Sequence, residues 1–135
     1  MKIFLLFIFI FTLIGINYAY GYGEVSATNF RVVNSLGEDI KSPVVDQQLN
    51  LQMSLKDISS QNTDWAYIVQ IVDANGAIID LNYATGSLVN NQTLTAALSW
   101  TPHISGTYKI ETFIWDNLRD INPLAPMTTS TITVT

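Results

Sequence analysis

Cysteine is absent from the 135 residues, histidine occurs once, and charged residues make up only 13% of the chain. Each shortage closes a class of chemistry. Without cysteine there is no disulfide, no thiol nucleophile and no lipid anchor built on a thiol. With His103 as the single histidine, a zinc site lacks the several His or Cys donors that zinc takes. Six Lys and Arg stand against eleven Asp and Glu, giving a net charge of −5. Nucleic acid needs a basic face to displace its counterions, so the balance argues against it as a partner. The acids are scattered, and no acidic run suggests a disordered tail.

What is present begins with an apolar run. Met1-Lys2 supplies a minimal positive start, and Ile3 to Ile16 is interrupted only by Thr12 and Gly15. Asn17-Tyr-Ala-Tyr-Gly21 follows, with small residues at Ala19 and Gly21 where a signal peptidase reads. The run is shorter than the roughly 20 residues of a membrane-spanning helix, so it reads as a helical secretory signal, residues 1–21. If retained and extended through Tyr18 to Tyr20, it becomes an N-terminal membrane anchor instead. Membrane association rests on that retention alone. The mature domain is then 22–135, one domain's worth of residues, secreted or held at the cell surface.

Beyond the leader the chain alternates in short stretches, the mark of strands with one face buried. The cleanest is Gln47 to Leu55. It sends Leu49, Leu51, Met53 and Leu55 one way and Gln48, Asn50, Gln52 and Ser54 the other. The remaining strands are expected at Ser26 to Asn34, Trp65 to Asp73, Ala77 to Asn82, Thr93 to Thr101, Thr107 to Trp115 and Met127 to Thr135. Asn75-Gly76 marks a tight hairpin turn, because it readily takes positive φ. Asp57 to Asp64 reads as a polar loop, and Asp116 to Pro126 as a long one. Inward residues are expected to include Leu94, Ala96, Leu98 and Trp100, then Tyr108, Ile110 and Ile114, then Ile132 and Val134.

The most specific segment is Leu98-Ser-Trp-Thr-Pro-His-Ile-Ser-Gly-Thr-Tyr-Lys-Ile110. A strand ends at Trp100, turns through Pro102 and Gly106, and restarts with Tyr108 facing inward. This pattern resembles the tyrosine corner of immunoglobulin-like and fibronectin-type-III-like domains. In particular it resembles those of secreted microbial, notably archaeal, surface proteins. The resemblance implies an all-β fold, a seven-stranded immunoglobulin-like antiparallel β-sandwich, over Ser26 to Thr135. Ile110 stands where antibody-type domains place their second bridging cysteine, so that disulfide is impossible here. The resemblance implies a class of role and no reaction: spacers, adhesive modules and partner-binding surfaces share the architecture.

Candidate chemistry is thin. His103 could be imagined in a triad with Ser105 and an acid, yet no nucleophile-elbow motif accompanies it, and a solvated loop histidine accounts for it. Asp116, Asn117, Asp120 and Asn122 offer oxygen ligands at short spacing, as calcium likes. Arg119 intrudes among them, and a solvated loop is the simpler reading. Asp73-Ala-Asn-Gly76 looks superficially similar and is explained by the hairpin. Asn91-Gln-Thr93 is the one N-glycosylation sequon.

The aromatic residues are more informative. If Tyr108 and Ile110 face the core, Phe113 and Trp115 face outward, and Ile68 and Val72 on the neighbouring strand join them. Such a patch marks a partner surface. The expectation is therefore a non-catalytic surface module with no cofactor and no metal, binding itself or a larger surface protein. The alternative is a soluble extracellular binder of carbohydrate, with Trp65, Trp115 or Tyr83 as stacking platforms.

Overall fold

Alternating burial builds the molecule, and burial is what orients each strand. A computed structural model describes residues 23–135; the leader, residues 1–21, lies outside them. The strands are β1 (Val25–Val33), β2 (Leu49–Asp57), β3 (Thr63–Val72), β4 (Ile78–Leu88), β5 (Thr93–Trp100), β6 (Gly106–Trp115) and β7 (Pro123–Val134). They form two antiparallel sheets, ordered β1-β2-β5 and β4-β3-β6-β7. This is the seven-stranded immunoglobulin-like sandwich, with the chain crossing between sheets from β2 to β3, from β4 to β5 and from β5 to β6.

The core lies between the sheets. Leu49, Leu51, Met53 and Leu55 of β2 are buried as their alternation requires, and Tyr67, Val69 and Ile71 of β3 meet them from the other sheet with Ile110 and Ile114 of β6. Each fully buried side chain of this size contributes about 1.5–3 kcal/mol over leaving it exposed. With no disulfide, this burial is what holds the sheets together. A polar link also crosses the core: the Tyr67 hydroxyl donates to the Leu51 carbonyl at 3.2 Å. Burial pushes that phenol well above its ordinary pKa, because the anion would lose its hydration.

The corner forms as its sequence implies. Trp100, Pro102 and Tyr108 are buried. The Tyr108 hydroxyl donates to the Ile104 carbonyl at 2.6 Å, which fixes the turn from β5 into β6. The Trp100 and Tyr108 rings meet edge to face, 5.1 Å between centroids, an arrangement the aromatic quadrupoles favour.

Most boundaries fall within two residues of the sequence reading, and three differences matter to the packing. Strand β4 runs six residues past Asn82, to Leu88. Its Ala84 and Gly86 stand opposite Tyr67 and Trp65 of β3, so small residues make room for large ones. Strand β7 starts at Pro123, not Met127, and the preceding loop shrinks to residues 116–122. Two prolines are tolerated there because β7 is an edge strand, where a missing N–H need not break a ladder. Asp57 ends β2 fully buried instead of opening a loop; its carboxylate accepts the Ser59 N–H at 2.8 Å.

Candidate interaction surface

The outer face of the β4-β3-β6-β7 sheet carries two apolar rows. Tyr83, Ile68 and Phe113 stand side by side across β4, β3 and β6, and Thr85, Ala66 and Trp115 form the next row. The Phe113 and Trp115 rings lie 5.7 Å apart along β6. Met127 joins them where β7 bulges opposite Phe113. On this face Leu81 is 61% exposed, Tyr83 56% and Met127 51%, while Phe113 and Trp115 are half-buried. The sequence reading places Ile68 and Val72 on this face, and they are there, but both are buried. Ile68 sits between Tyr83 and Phe113, so it backs the patch and does not form its surface. A polar row bounds the patch: Gln70 donates to Glu111 at 2.8 Å, and Lys109 pairs with Glu111 at 2.7 Å.

The other candidates fall elsewhere. His103 does have a partner, Asp46, at 2.8 Å from its Nδ1, but both side chains are 76% exposed. A pair this solvated is worth little. Asp46 also donates its N–H to the Pro102 carbonyl, so the pair pins the β1–β2 loop to the corner. Ser105 and Asp73 share a groove of about 480 Å³ with His103. The Asp73 carboxylate is committed to the Asn75 and Ala77 N–H groups of its hairpin turn. Asp116 and Asp120 lie past the far end of β6, a ten-residue strand, so no acid from that loop reaches His103.

Loop 116–122 is organised by its own side chains. Asp116 accepts N–H groups from Asn117 and Asn122 and the Asn122 amide, and Asn117 accepts from Arg119 and Asp120. The Asp116 and Asn117 oxygens that spacing offers to calcium are therefore taken within the loop. The loop borders an open groove of about 920 Å³ shared with Trp65, Thr85 and Ser87. Trp65 is buried beneath Gly86, where a Cβ would fall 2.6 Å from the indole, so it offers no face for stacking on a sugar. Asn91 is exposed in the β4–β5 turn with φ +64°, a conformation asparagine tolerates well. Among the described residues no three His, Cys, Asp or Glu side chains converge as a metal site.

With the geometry fixed, comparison with known proteins supplies the family. The S-layer A-like family, SlaA-like, matches residues 13–135. The chain belongs to that family. No curated protein matches it significantly. Among solved structures, this S-layer A-like chain is similar to the C-terminal domain of Wzt, with TM-score 0.72 and 16% identity over 86% of this chain and 76% of that one. It is also similar to the CARDB domain of a Pyrococcus furiosus protein, solved with di-metal ions. There the TM-score is 0.59 and the identity 16%, over 85% of this chain and 96% of that one. A β-glucosidase from Listeria innocua matches at TM-score 0.57 and 12% identity, over 85% of this chain but only 16% of the enzyme. At these identities the likeness is one of fold, and it bears out the immunoglobulin-like sandwich implied by the corner. The family places the protein among surface structural modules.

What sequence reasoning misses is the share of β4 in the patch. It gives Tyr83 only the role of a sugar platform and leaves Leu81 out. The available signal is the apolar Ile78, Leu81 and Tyr83 on a strand whose inner positions before Leu88 are small or polar.

Proposed function

We propose that this S-layer A-like protein is an exported, non-catalytic module that binds protein at the cell surface through the outer face of its four-stranded sheet. One observation carries the reading: the exposed Leu81, Tyr83 and Met127 and the half-buried Phe113 and Trp115 gather on one outer face of the four-stranded sheet. Exposed aromatic and Met side chains are enriched where proteins meet. The partner is the protein itself or a larger surface protein, and residues 1–21 deliver it there as a signal or a retained anchor. Asn91 is the residue that would carry a glycan.

Cross-linking on intact cells, followed by mass spectrometry of what is captured, tests the role. Recovery of the chain itself or of one larger surface protein is the expected result. The surface is tested by Phe113→Ser combined with Trp115→Ser. The pair should leave the melting transition in place and abolish association seen by light scattering. Loss of folding would instead show that these rings belong to the core. Binding of extracellular carbohydrate would use Tyr83 and Trp115 as platforms. A calorimetric titration with surface polysaccharide that releases heat, with no change in particle size, would move the reading there.

A further inference from the structure

The four edge strands of the sandwich are not equally protected. An exposed edge presents unpaired N–H and C=O groups to any other strand, and proteins blunt it with proline, charge, bulges or cover. Strand β7 carries Pro123 and Pro126. Its edge is also covered at both ends. Near its start the Gly23 N–H reaches the Leu124 carbonyl, and past its end Thr135 exchanges bonds with Pro43 and Val45. Strand β1 is broken by an irregularity between Thr28 and Arg31, with Asn29 at φ +57°. Strand β5 is the shortest of the four, and its exposed side chains, Thr93, Thr95, Ala97 and Ser99, offer a partner no large apolar contact. Strand β4 is the least protected of the four. It is eleven residues long, contains no proline, lysine or arginine, and has one charge, Asp80. Its only irregularity is at its first residues, beside Ile78.

The free edge of β4 is also identifiable. The Tyr83 N–H donates to the side-chain oxygen of Asn82, its own neighbour, at 2.9 Å. That N–H is turned away from β3. In an antiparallel strand the N–H and C=O of one residue point to the same side, and alternate residues share that side. Leu81, Tyr83, Thr85 and Ser87 thus present their backbone groups to the free edge, while Leu81 and Tyr83 also leave their side chains exposed on the outer face.

We propose that β4 pairs with β4 of a second copy, antiparallel about a two-fold axis through Tyr83, joining two four-stranded sheets into one. The strand is built for this partner. Residue 83 is its midpoint, so overlap about it sets Leu81 against Thr85 and Tyr83 against Tyr83. Both pairings join edge-facing residues of one copy to edge-facing residues of the other. The single charge falls opposite Gly86 and not opposite its own copy, which removes the like-charge clash that self-pairing usually brings. The two Tyr83 rings become cross-strand neighbours. Two-fold pairing is closed and uses the same edge twice, leaving no free β4 edge behind.

This inference rests on the assembly reading but assigns the contact to the backbone edge of β4, where the face reading assigns it to side chains, with Leu81 and Tyr83 lying at both. The absence of cysteine gives it a clean test. In protein recovered from cells that express the full chain, Tyr83→Cys introduces the only thiol, so any disulfide must join two copies. With copper–phenanthroline as oxidant it should form a covalent dimer far faster than Thr131→Cys, an exposed position on β7. Equal rates for the two would overturn the pairing. Independently, Thr85→Pro removes one edge N–H without touching the β3 ladder or the apolar side chains of the face, and should raise the dimer Kd by roughly tenfold or more in sedimentation. An unchanged Kd, or a wild-type chain that stays monomeric at every concentration, would also overturn it. If Phe113→Ser with Trp115→Ser dissociates the dimer while Thr85→Pro does not, the face reading stands and the edge pairing is wrong. The reverse result keeps the edge and discards the face as the self-contact.

Discussion

Tyr108 shows how much one hydroxyl can decide. Its ring would be buried by any large apolar residue, but only the O–H reaches the Ile104 carbonyl at 2.6 Å and closes the corner. Tyr108→Phe keeps the ring against Trp100 and leaves that carbonyl without its donor. The loss should be about 1–3 kcal/mol, read as a lower denaturant midpoint at unchanged slope. An unchanged midpoint would show that the bond contributes nothing net. Gly86 is the converse case, where the missing side chain matters. Glycine inside a strand ordinarily costs stability, so Gly86→Ala should help on intrinsic grounds. Here the new Cβ would fall 2.6 Å from Cζ2 of the buried Trp65 indole, and overpacking should cost about 1–3 kcal/mol instead. Stabilisation in a thermal melt would mean that the indole swings clear.

Elements are legible in the sequence where a strand answers to one core. Strand β2 is the clearest: strict alternation of Leu and Met with polar residues leaves one register, and Leu49, Leu51, Met53 and Leu55 are all buried. The β5–β6 corner is legible because Trp100, Pro102, Gly106 and Tyr108 each have a separate mechanical reason to be there. Strand β4 is not. Tyr83-Ala-Thr-Gly-Ser87 has the composition of a loop, and its logic is relational: Ala84 and Gly86 are small because Tyr67 and Trp65 lie opposite. A linear sequence does not display that pairing. The same gap hides the patch. Ile68 reads as surface only while Tyr83, which covers it from one side, is left beyond the end of its strand. Strand β7 reads short for another reason: its prolines argue against a strand unless the strand is known to be an edge.

The whole molecule is acidic, and it is argued to meet other molecules through surfaces with almost no charge. The net charge is −5 for the full chain, of which Lys2 belongs to the leader. Two such copies repel at long range, while the β4 edge and the apolar face offer no ion pairs that salt could weaken. Raising sodium chloride from roughly 0.05 to 0.5 M shortens the screening length from well above 10 Å to a few ångströms. Self-association should therefore tighten with salt, with a lower Kd in sedimentation. Dissociation by salt would show that charged contacts hold the copies together.

The three tryptophans are distributed in a way that has an optical consequence. Trp65 and Trp100 are sealed in the core, whereas Trp115 is half-buried on the outer face beside Phe113. The first two indoles emit from an apolar, rigid environment and lie beyond the reach of an aqueous quencher until the sandwich opens. The third emits at longer wavelength and is open to quenching. The protein thus carries two separate reporters in one spectrum. A blue shift confined to the quenchable fraction signals that something has covered the face, and a red shift of the protected fraction signals that the fold has been lost.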